Sequence, residues 1–431
     1  MVQIDYSTPN AQPQTDSPHG LSLSSYFPAG THYFYGYPAG DDSGFFNNVP
    51  AYMEELVAAR AFCCAGPTVN VVCFAAAAAP KLPTALLDTL GLPYLSQRQL
   101  CVLPADITAA ISGKARNTAI KEALLHELPP ASLVMAQPYT DAALAPLFQI
   151  PPTLTNWLND KANLPHIIPP TYLPTRLAAF ASGAAFAEQA AQLALPCVVK
   201  VSSSSSGDGV YLCHTPEDLQ QAARAVAPLS GGVTAEQFIS AKHNYAVHFG
   251  IPHDPSQPAA ILGVNEQLTT PEGSFVGGII SGSGVPEKLA YIAQLLQETI
   301  LPNIRQLGWY GIAGIDVLED ETGNFYFIDG NFRMTGMSAY HLLCSQGALQ
   351  APLVSFHARF TGSRSELEAA LAPLTNTHSA RRIATLIALS QHNGTWHVNG
   401  AIMFANQEEL QQRAQALLHA GLRSEALELV R

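Results

Sequence analysis

Asp316, Asp329, Asn331 and Arg333 have the types and spacing to hold a metal ion beside an anion. They fall in residues 314–336, GIDVLEDETGNFYFIDGNFRMTG. Residues 315–318 and 325–328 are short apolar, aromatic-rich runs. Asp320-Glu321-Thr322-Gly323-Asn324 between them is turn chemistry, so the pattern predicts a two-stranded hairpin. Residues two apart in a strand share a face, so Asp329, Asn331 and Arg333 are expected to point the same way. Asp316 is expected roughly opposite Asp329 on the partner strand, in a register that sequence leaves open. Two carboxylates and an amide oxygen are hard ligands suited to Mg2+, with Mn2+ as a second candidate; Mg2+ typically keeps waters and phosphate oxygens in its other positions. An arginine beside them adds a planar, permanently charged donor for phosphate or carboxylate. The plainer alternative is an exposed hairpin with solvated charges, and the motif alone does not decide between them.

The other chemistry-bearing pieces lie upstream. Residues 196–201, PCVVKV, read as a strand carrying Lys200, and an ammonium in an apolar strand needs either an anionic partner or a head that reaches water. SSSSSGDG (202–209) follows directly, before a second strand at 210–213. Small side chains and two glycines there let backbone N–H groups approach an oxyanion. No GK[ST] follows, so it is not a Walker loop, and a serine run is also common in linkers. Lys161 follows Asn159-Asp160 and says little by itself. Residues 234–239, TAEQFI, read as a strand whose edge could offer backbone groups to an adenine, with Phe238 and Ile239 as apolar walls. The glycine-rich run 277–284 leads into a long amphipathic helix expected over 286–307. It reads either as a plain loop or as an anion-binding approach to that helix. Tyr340 and His341 read equally as packing residues or ligands.

Those pieces need a scaffold, and composition says what kind. The chain has 431 residues, too many for one ordinary core, and 48% of them are hydrophobic against 13% charged, which suits a well-buried enzyme. The net charge of −12 and the lack of a basic stripe argue against a nucleic-acid surface. The first cation is Arg60, so residues 1–20 read as a loosely ordered leader without a secretory n-region. Residues 61–80 are uncharged, but Gly66-Pro67 and Asn70 interrupt them, and 68–74 reads as a buried strand, not a membrane span. The seven cysteines have no metal spacing and read as reduced thiols of a cytoplasmic protein.

Strands are expected at 69–74, 100–103 and 132–136, with helices at 83–90 and 118–126 between them: a small α/β domain with a parallel sheet. Residues 176–195 are alanine-rich and expected helical. Thr215-Pro216-Glu217-Asp218 carries helix start signals. Two strands at 381–390 and 395–404 and a helix at 408–418 are expected to close the chain.

Taken in order, these pieces resemble the ATP-grasp superfamily of carboxylate–amine and carboxylate–thiol ligases. The resemblance runs over about residues 155–345: Lys161, the strand lysine of PCVVK, SSSSSGDGV, AEQFI and GIDVLEDETGNFYFIDGNFR. It implies an α/β protein of two α+β lobes that clamp ATP. A small parallel-sheet pre-ATP-grasp domain would precede them. The implied division is a leader at 1–20, the pre-ATP-grasp domain at 21–152, a small lobe at 153–236, a large lobe at 237–375 and a C-terminal strand pair and helix at 376–431. The C-terminal layout is similar to the peptide-ligase branch that makes natural products such as pheganomycin.

The resemblance further implies an ATP site of Lys161, Lys200, Ser204, Ser205, Ser206, Gly207, Gly209, Glu236, Gln237, Phe238, Ile239 and Asn244. Asp316, Asp329 and Asn331 would bind magnesium, and Arg333 and Lys200 would act on the transferring group. The acid and amine would lie against Glu266, Gly278, Ser281, Arg333 and Gly336. The implied activity is an amide from a carboxylate and an amine by way of an acyl phosphate, with ADP and phosphate released. A carrier-protein or coenzyme thiol as acceptor, or a silent nucleotide-binding protein, are the alternatives, and a homodimer fits the family. Two positions depart from the pattern. Asp329 stands where the family usually has glutamate, and Lys242-His243-Asn244 stands where an acidic residue often grips the ribose, leaving His243 or Asn244 for that task.

Overall fold

The hairpin with the paired carboxylates forms one edge of an eight-stranded sheet, the largest of three among the described residues. The structure is a computed structural model and describes residues 20–36, 51–74, 99–104, 107, 113–202, 209–271, 273–282, 285–375 and 384–431. The expected helix at 83–90 and the leader at 1–19 lie outside those residues.

The N-terminal sheet contains β1 (His32–Phe34), β2 (Asn70–Phe74), β3 (Leu100–Leu103) and β4 (Leu133–Met135). Its order is β3-β2-β1-β4 and every pair is parallel, as the alternation of strands and helices predicts. Three of these strands were legible as apolar runs. β1, only three residues long, is too short to show a period. Helix Gly113–Glu127 includes the expected 118–126 and starts earlier. The uncharged stretch at 61–80 contains β2, and no helix among the described residues is long and apolar enough to cross a membrane. All seven cysteines are free, and burial raises the thiols of Cys73 and Cys344 to about 12.

The second sheet is antiparallel: β5 (Arg176–Phe180), β6 (Cys197–Val201), β7 (Val210–Cys213) and β8 (Val233–Gln237), in the order β5-β8-β6-β7. Here the helix expected over 176–195 needs correction. Residues Arg176–Phe180 pair with β8 as a strand, and the helix covers only Gly183–Gln189. Alanine favours helix intrinsically, but pairing to β8 overrides that weak preference. Helix Pro216–Val226 begins as its sequence predicts, with a Thr215–Asp218 capping box and proline in the first turn. Both helices bury Phe186, Leu219 and Val226 against Cys197, Val199 and Val201 of β6.

The large sheet holds β9 (Ala241–Ile251), β10 (Ala260–Thr269), β11 (Phe275–Ile280), β12 (Gly311–Asp320), β13 (Phe325–Asn331), β14 (Leu353–Thr361), β15 (Ala384–His392) and β16 (Thr395–Met403). Its order is β13-β12-β9-β10-β11-β14-β16-β15, antiparallel throughout. The C-terminal strand pair thus continues this sheet through β14. Helix Gln407–His419 follows as expected. The long helix expected at 286–307 is instead broken into a 3-10 turn, Ala290–Leu295, a π turn at Leu296–Ile300 and Leu301–Gln306. Pro302, which has no N–H to donate, sits just past the π turn. This segment buries Leu296, Ile300 and Ile304 against Val247, Phe249, Ile315 and Val317 of one sheet face. The N-terminal region packs with Ile312, Met334, Tyr340 and Leu353 in a shared core, and Met334 N–H donates to the Tyr33 hydroxyl at 3.2 Å.

Candidate active site

Antiparallel pairing places Asp316 of β12 directly opposite Asp329 of β13, and Gly314 opposite Asn331. Between the Asp316–Asp329 and Val317–Phe327 pairs the register shifts, which makes Ile328 the extra residue of a bulge. Asp316, Asp329 and Asn331 therefore face one way. The Asn331 amide lies 3.5 Å from Asp316 Oδ2, and Gln267 Nε2 donates to Asp316 Oδ1 at 2.7 Å. Gln267 reaches from β10 past β9, where the small Ala246 stands opposite Asp316.

Burial is the larger cause of the shift at Asp316, and the Asp329 charge opposite it the next; together they push its carboxyl up to about 7. Lys161, the Gln267 hydrogen bond and Arg333 act in the other direction without restoring the ordinary value. Two carboxylates held together in a partly buried setting call for a cation. Among the described residues no cluster of three or more His, Cys, Asp or Glu side chains could hold a metal. A cation here would rest on the two aspartates and Asn331, and would draw its other oxygens from water or phosphate.

The opposing wall supplies positive charge. Lys161, only 6% exposed, places Nζ 3.1 Å from Asp329 Oδ2, and its N–H donates to Ser202 O at 3.1 Å. Lys200, equally buried, places Nζ 2.6 Å from Glu236 Oε2 and donates to Ile328 O at 2.9 Å. The bulge carbonyl is thus tied to β6 of the small sheet. Arg176 completes the group, 3.7 Å from Glu236 Oε1, and donates to Ala162 O at 2.9 Å. Arg333 is fixed from the other side by Asn159, whose Oδ1 accepts from Arg333 Nη1 at 2.8 Å and from Phe332 N–H at 3.0 Å. These groups share one cleft with about 1190 Å³ of empty space, lined by Lys161, Lys200, Asn244, Asp316, Asp329, Asn331 and Arg333.

Residues 177–331 match the family model described as L-aspartate–L-methionine ligase, ATP grasp. This part of the chain is similar to the ATP-grasp ligases. Its fold is shared with solved structures. N5-carboxyaminoimidazole synthetase from Staphylococcus aureus, complexed with ADP, is 12% identical with a TM-score of 0.51, over 93% of this chain and 100% of that one. An ADP complex of an N5-carboxyaminoimidazole ribonucleotide synthetase is also 12% identical, with a TM-score of 0.50, over 92% of this chain and 98% of that one. The matched residues take in the small antiparallel sheet and strands β9 to β13 of the large one. The N-terminal parallel sheet is consistent with a pre-ATP-grasp domain ahead of that fold.

The structure brings together Lys161, Lys200, Asn244, Asp316, Asp329, Asn331, Arg333 and Gly336 around one cleft. Ser204, Ser205, Ser206 and Gly207 lie outside the described residues; the flanking Val201 N–H donates to Gly209 O at 2.8 Å. The adenine edge expected along Glu236–Ile239 is narrower than sequence suggests, because β8 is an interior strand. The Glu236 carboxylate is taken by Lys200 and Arg176, and the Gln237 N–H donates to Thr175 O at 2.8 Å. Phe238 and Ile239 lie just past the strand, partly buried. Strand alternation separates the two ribose candidates: Asn244 faces the cleft, whereas His243 is on the other face with Tyr245, 2.9 Å from Glu266.

The same alternation moves Glu266 out of the expected substrate pocket, since its neighbours Asn265 and Gln267 are the residues that line the cleft. Gly278 and Ser281 do not line it either: Gly278 N–H donates to Ser355 Oγ at 2.9 Å, and Ser281 is exposed. Sequence reading missed Asn159, Gln267, Asn265 and Arg60. Asn159 immediately precedes the Asp160-Lys161 pair and was the nearest to being found. Gln267 depends on a long-range register that no local pattern encodes.

Proposed function

We propose that this protein is an ATP-grasp ligase that binds ATP between the small and large sheets and joins a carboxylate to an amine as an amide, through an acyl phosphate, releasing ADP and phosphate. The observation that carries this reading is the Asp316–Asp329 pair facing Lys161 and Lys200 across one cleft. Acidic groups for a cation thereby stand beside ammonium groups for phosphates. Mg2+ fits the donor set, and when bound it would neutralise phosphate charge next to Asp316, Asp329 and Asn331.

The protein's own residues do the aligning. Lys161 and Lys200 already hold carboxylates, so a phosphate group would join or replace an existing partner in a preformed positive wall. Asn244 Oδ1 is buried without a hydrogen-bond partner among the described residues, which suits a ribose hydroxyl as donor. Phe238 and Ile239 are the apolar surface for adenine. Arg333, held in place by Asn159, is aimed at the group transferred from phosphate to carboxylate. The donor carboxylate oxygen attacks the γ-phosphorus and the bond to ADP breaks; the amine nitrogen then attacks the acyl carbon and phosphate leaves. No enzyme nucleophile takes part.

The family description supports amino acids as both acid and amine. A phosphate-release screen of amino acids in pairs, with product masses read out, tests the proposal. ADP, phosphate and a product whose mass is the sum less water are expected only when both partners are present. AMP, or phosphate release indifferent to the amine, would overturn it.

A further inference from the structure

The cleft contains a second arginine that the phosphate chemistry does not use. Arg60 opens the 3-10 turn Arg60–Cys63 of the N-terminal region and lines the same cleft as Arg333. With the Asn399 amide turned so that its oxygen faces the guanidinium, Arg60 Nε and Nη2 donate to it at 2.9 and 3.0 Å. One edge of the fork is thus pinned by a neutral group, and no carboxylate among the described residues forms an ion pair with it. An arginine fixed by an amide keeps its whole charge for an anion, and its planar fork matches a carboxylate. Its field is felt at His357, where burial first, then His397, Arg60 and Arg359, lower the imidazole to about 4.

The surroundings specify the rest of the ligand. A Cβ added at Gly336 would sit 3.0 Å from the Phe275 ring and 4.0 Å from Arg60 Nη1, so the glycine keeps open the space between guanidinium and ring. Met53, Val57, Phe275 and Met337 line the cleft beside it, an apolar wall with adaptable thioethers. By contrast, the charges acting on Asp316 come from Asp329, Lys161 and Arg333.

We propose that Arg60 anchors the α-carboxylate of the amine-bearing substrate, an α-amino acid with an apolar side chain that packs on Met53, Val57, Phe275 and Met337. This rests on the ligase reading above. Such an acceptor carries a carboxylate of its own that must be kept from the phosphoryl group, and Arg60 holds it at the far wall while the amine points toward Arg333. Arg60 is a specificity residue in this role.

The test uses the full-length enzyme with ATP, Mg2+ and L-aspartate as donor, and compares L-methionine with L-methioninamide, which keeps the amine and side chain but lacks the carboxylate. The wild type should prefer methionine by about 100-fold in kcat/KM, as expected for a charge-assisted bidentate contact. Arg60→Met should erase that preference by raising the methionine KM, with the KM values for aspartate and ATP and the thermal shift by Mg-ADP unchanged. Equal use of acid and amide by the wild type would overturn the assignment. So would an Arg60→Met variant that keeps the preference, or one that loses activity equally with methionine and methioninamide, as a purely structural contact to Asn399 requires. No turnover with any acid and amine pair would overturn the ligase reading itself, before Arg60 is varied.

Discussion

Asp316 and Asp329 are direct cross-strand partners at the edge of the large sheet, and Lys161 Nζ stands 3.1 Å from Asp329. Like charges placed opposite each other in a ladder are destabilising unless something compensates them. Here Lys161 offsets one carboxylate, while Gln267 gives the other a hydrogen bond. The arrangement gives up some stability for a surface that a divalent cation would complete.

Asp329→Asn keeps the size of the side chain but removes the charge. ADP formation should fall by about 100- to 1000-fold, the usual cost of deleting one group that stabilises transition-state charge. Asp329→Glu, which restores the residue common in the family, should keep activity within about 10-fold of wild type. Steady-state ADP release checks both, and an Asp329→Asn enzyme with wild-type turnover contradicts the metal role.

The Asp316 carboxyl gives the protein a pH signature. Its pKa is about 7 when folded against an ordinary 3.8, because of burial and the Asp329 charge. Between those values the folded state holds a proton that the unfolded chain has lost. Stability from this group is therefore full below about pH 4 and is lost as pH rises toward about 7. Mg2+ has the opposite sign, since it displaces that proton, so its stabilisation should grow as pH passes about 7. Melting temperatures at about pH 5 and about pH 8, with and without Mg2+, read both effects. Asp316→Asn should flatten both dependences; an unchanged slope would assign them to another group.

Lys200 joins the two lobes, from β6 to the Ile328 carbonyl on the bulge of β13, while its charge rests on Glu236. Lys200→Met leaves Glu236 buried with Arg176 at 3.7 Å as its remaining cation and should cost roughly 3–5 kcal/mol. The double variant Lys200→Met, Glu236→Gln should regain part of that stability while nucleotide affinity stays low. Urea unfolding and ADP titration separate the two effects. A double variant no more stable than the single one would show that Glu236 is satisfied without Lys200.

Much of this site was legible because its parts are local. The hairpin, its turn and the common face of Asp329 and Asn331 follow from alternation and turn residues, and the strand lysine follows from one charge in PCVVK. Long-range relationships were not. Glu236 as the partner of Lys200 depends on the pairing of β8 with β6, and Gln267 reaches Asp316 across an intervening strand. Glu266 was expected on a loop of the substrate pocket, but it lies on β10, where alternation turns it away while Asn265 and Gln267 face the cleft. At residues 176–180, alanine content favoured a helix, and only the partner strand made it β.

Gly278 was expected to meet substrate but instead supports the cleft floor. A Cβ there would come within 2.8 Å of Met337 Sδ and 2.9 Å of Asn265 Nδ2. Asn265 Oδ1 lies 2.8 Å from His248 Nε2 and 3.3 Å from His341 Nε2, both imidazoles kept neutral chiefly by burial. Gly278→Ala should therefore cost about 1–3 kcal/mol by overpacking and weaken acceptor binding, with ADP affinity preserved. Denaturation and substrate titrations check this; a neutral substitution would mean that Met337 and Asn265 shift freely.

The central claim is that the donor carboxylate is activated by phosphoryl transfer within the Asp316–Asp329–Lys161–Lys200 cleft. The most direct measurement uses a donor acid whose carboxylate carries heavy oxygen, with phosphorus NMR of the products. Transfer through an acyl phosphate delivers one labelled oxygen to inorganic phosphate per amide formed, together with ADP. Unlabelled phosphate, or AMP with labelled carboxylate oxygen, would contradict it.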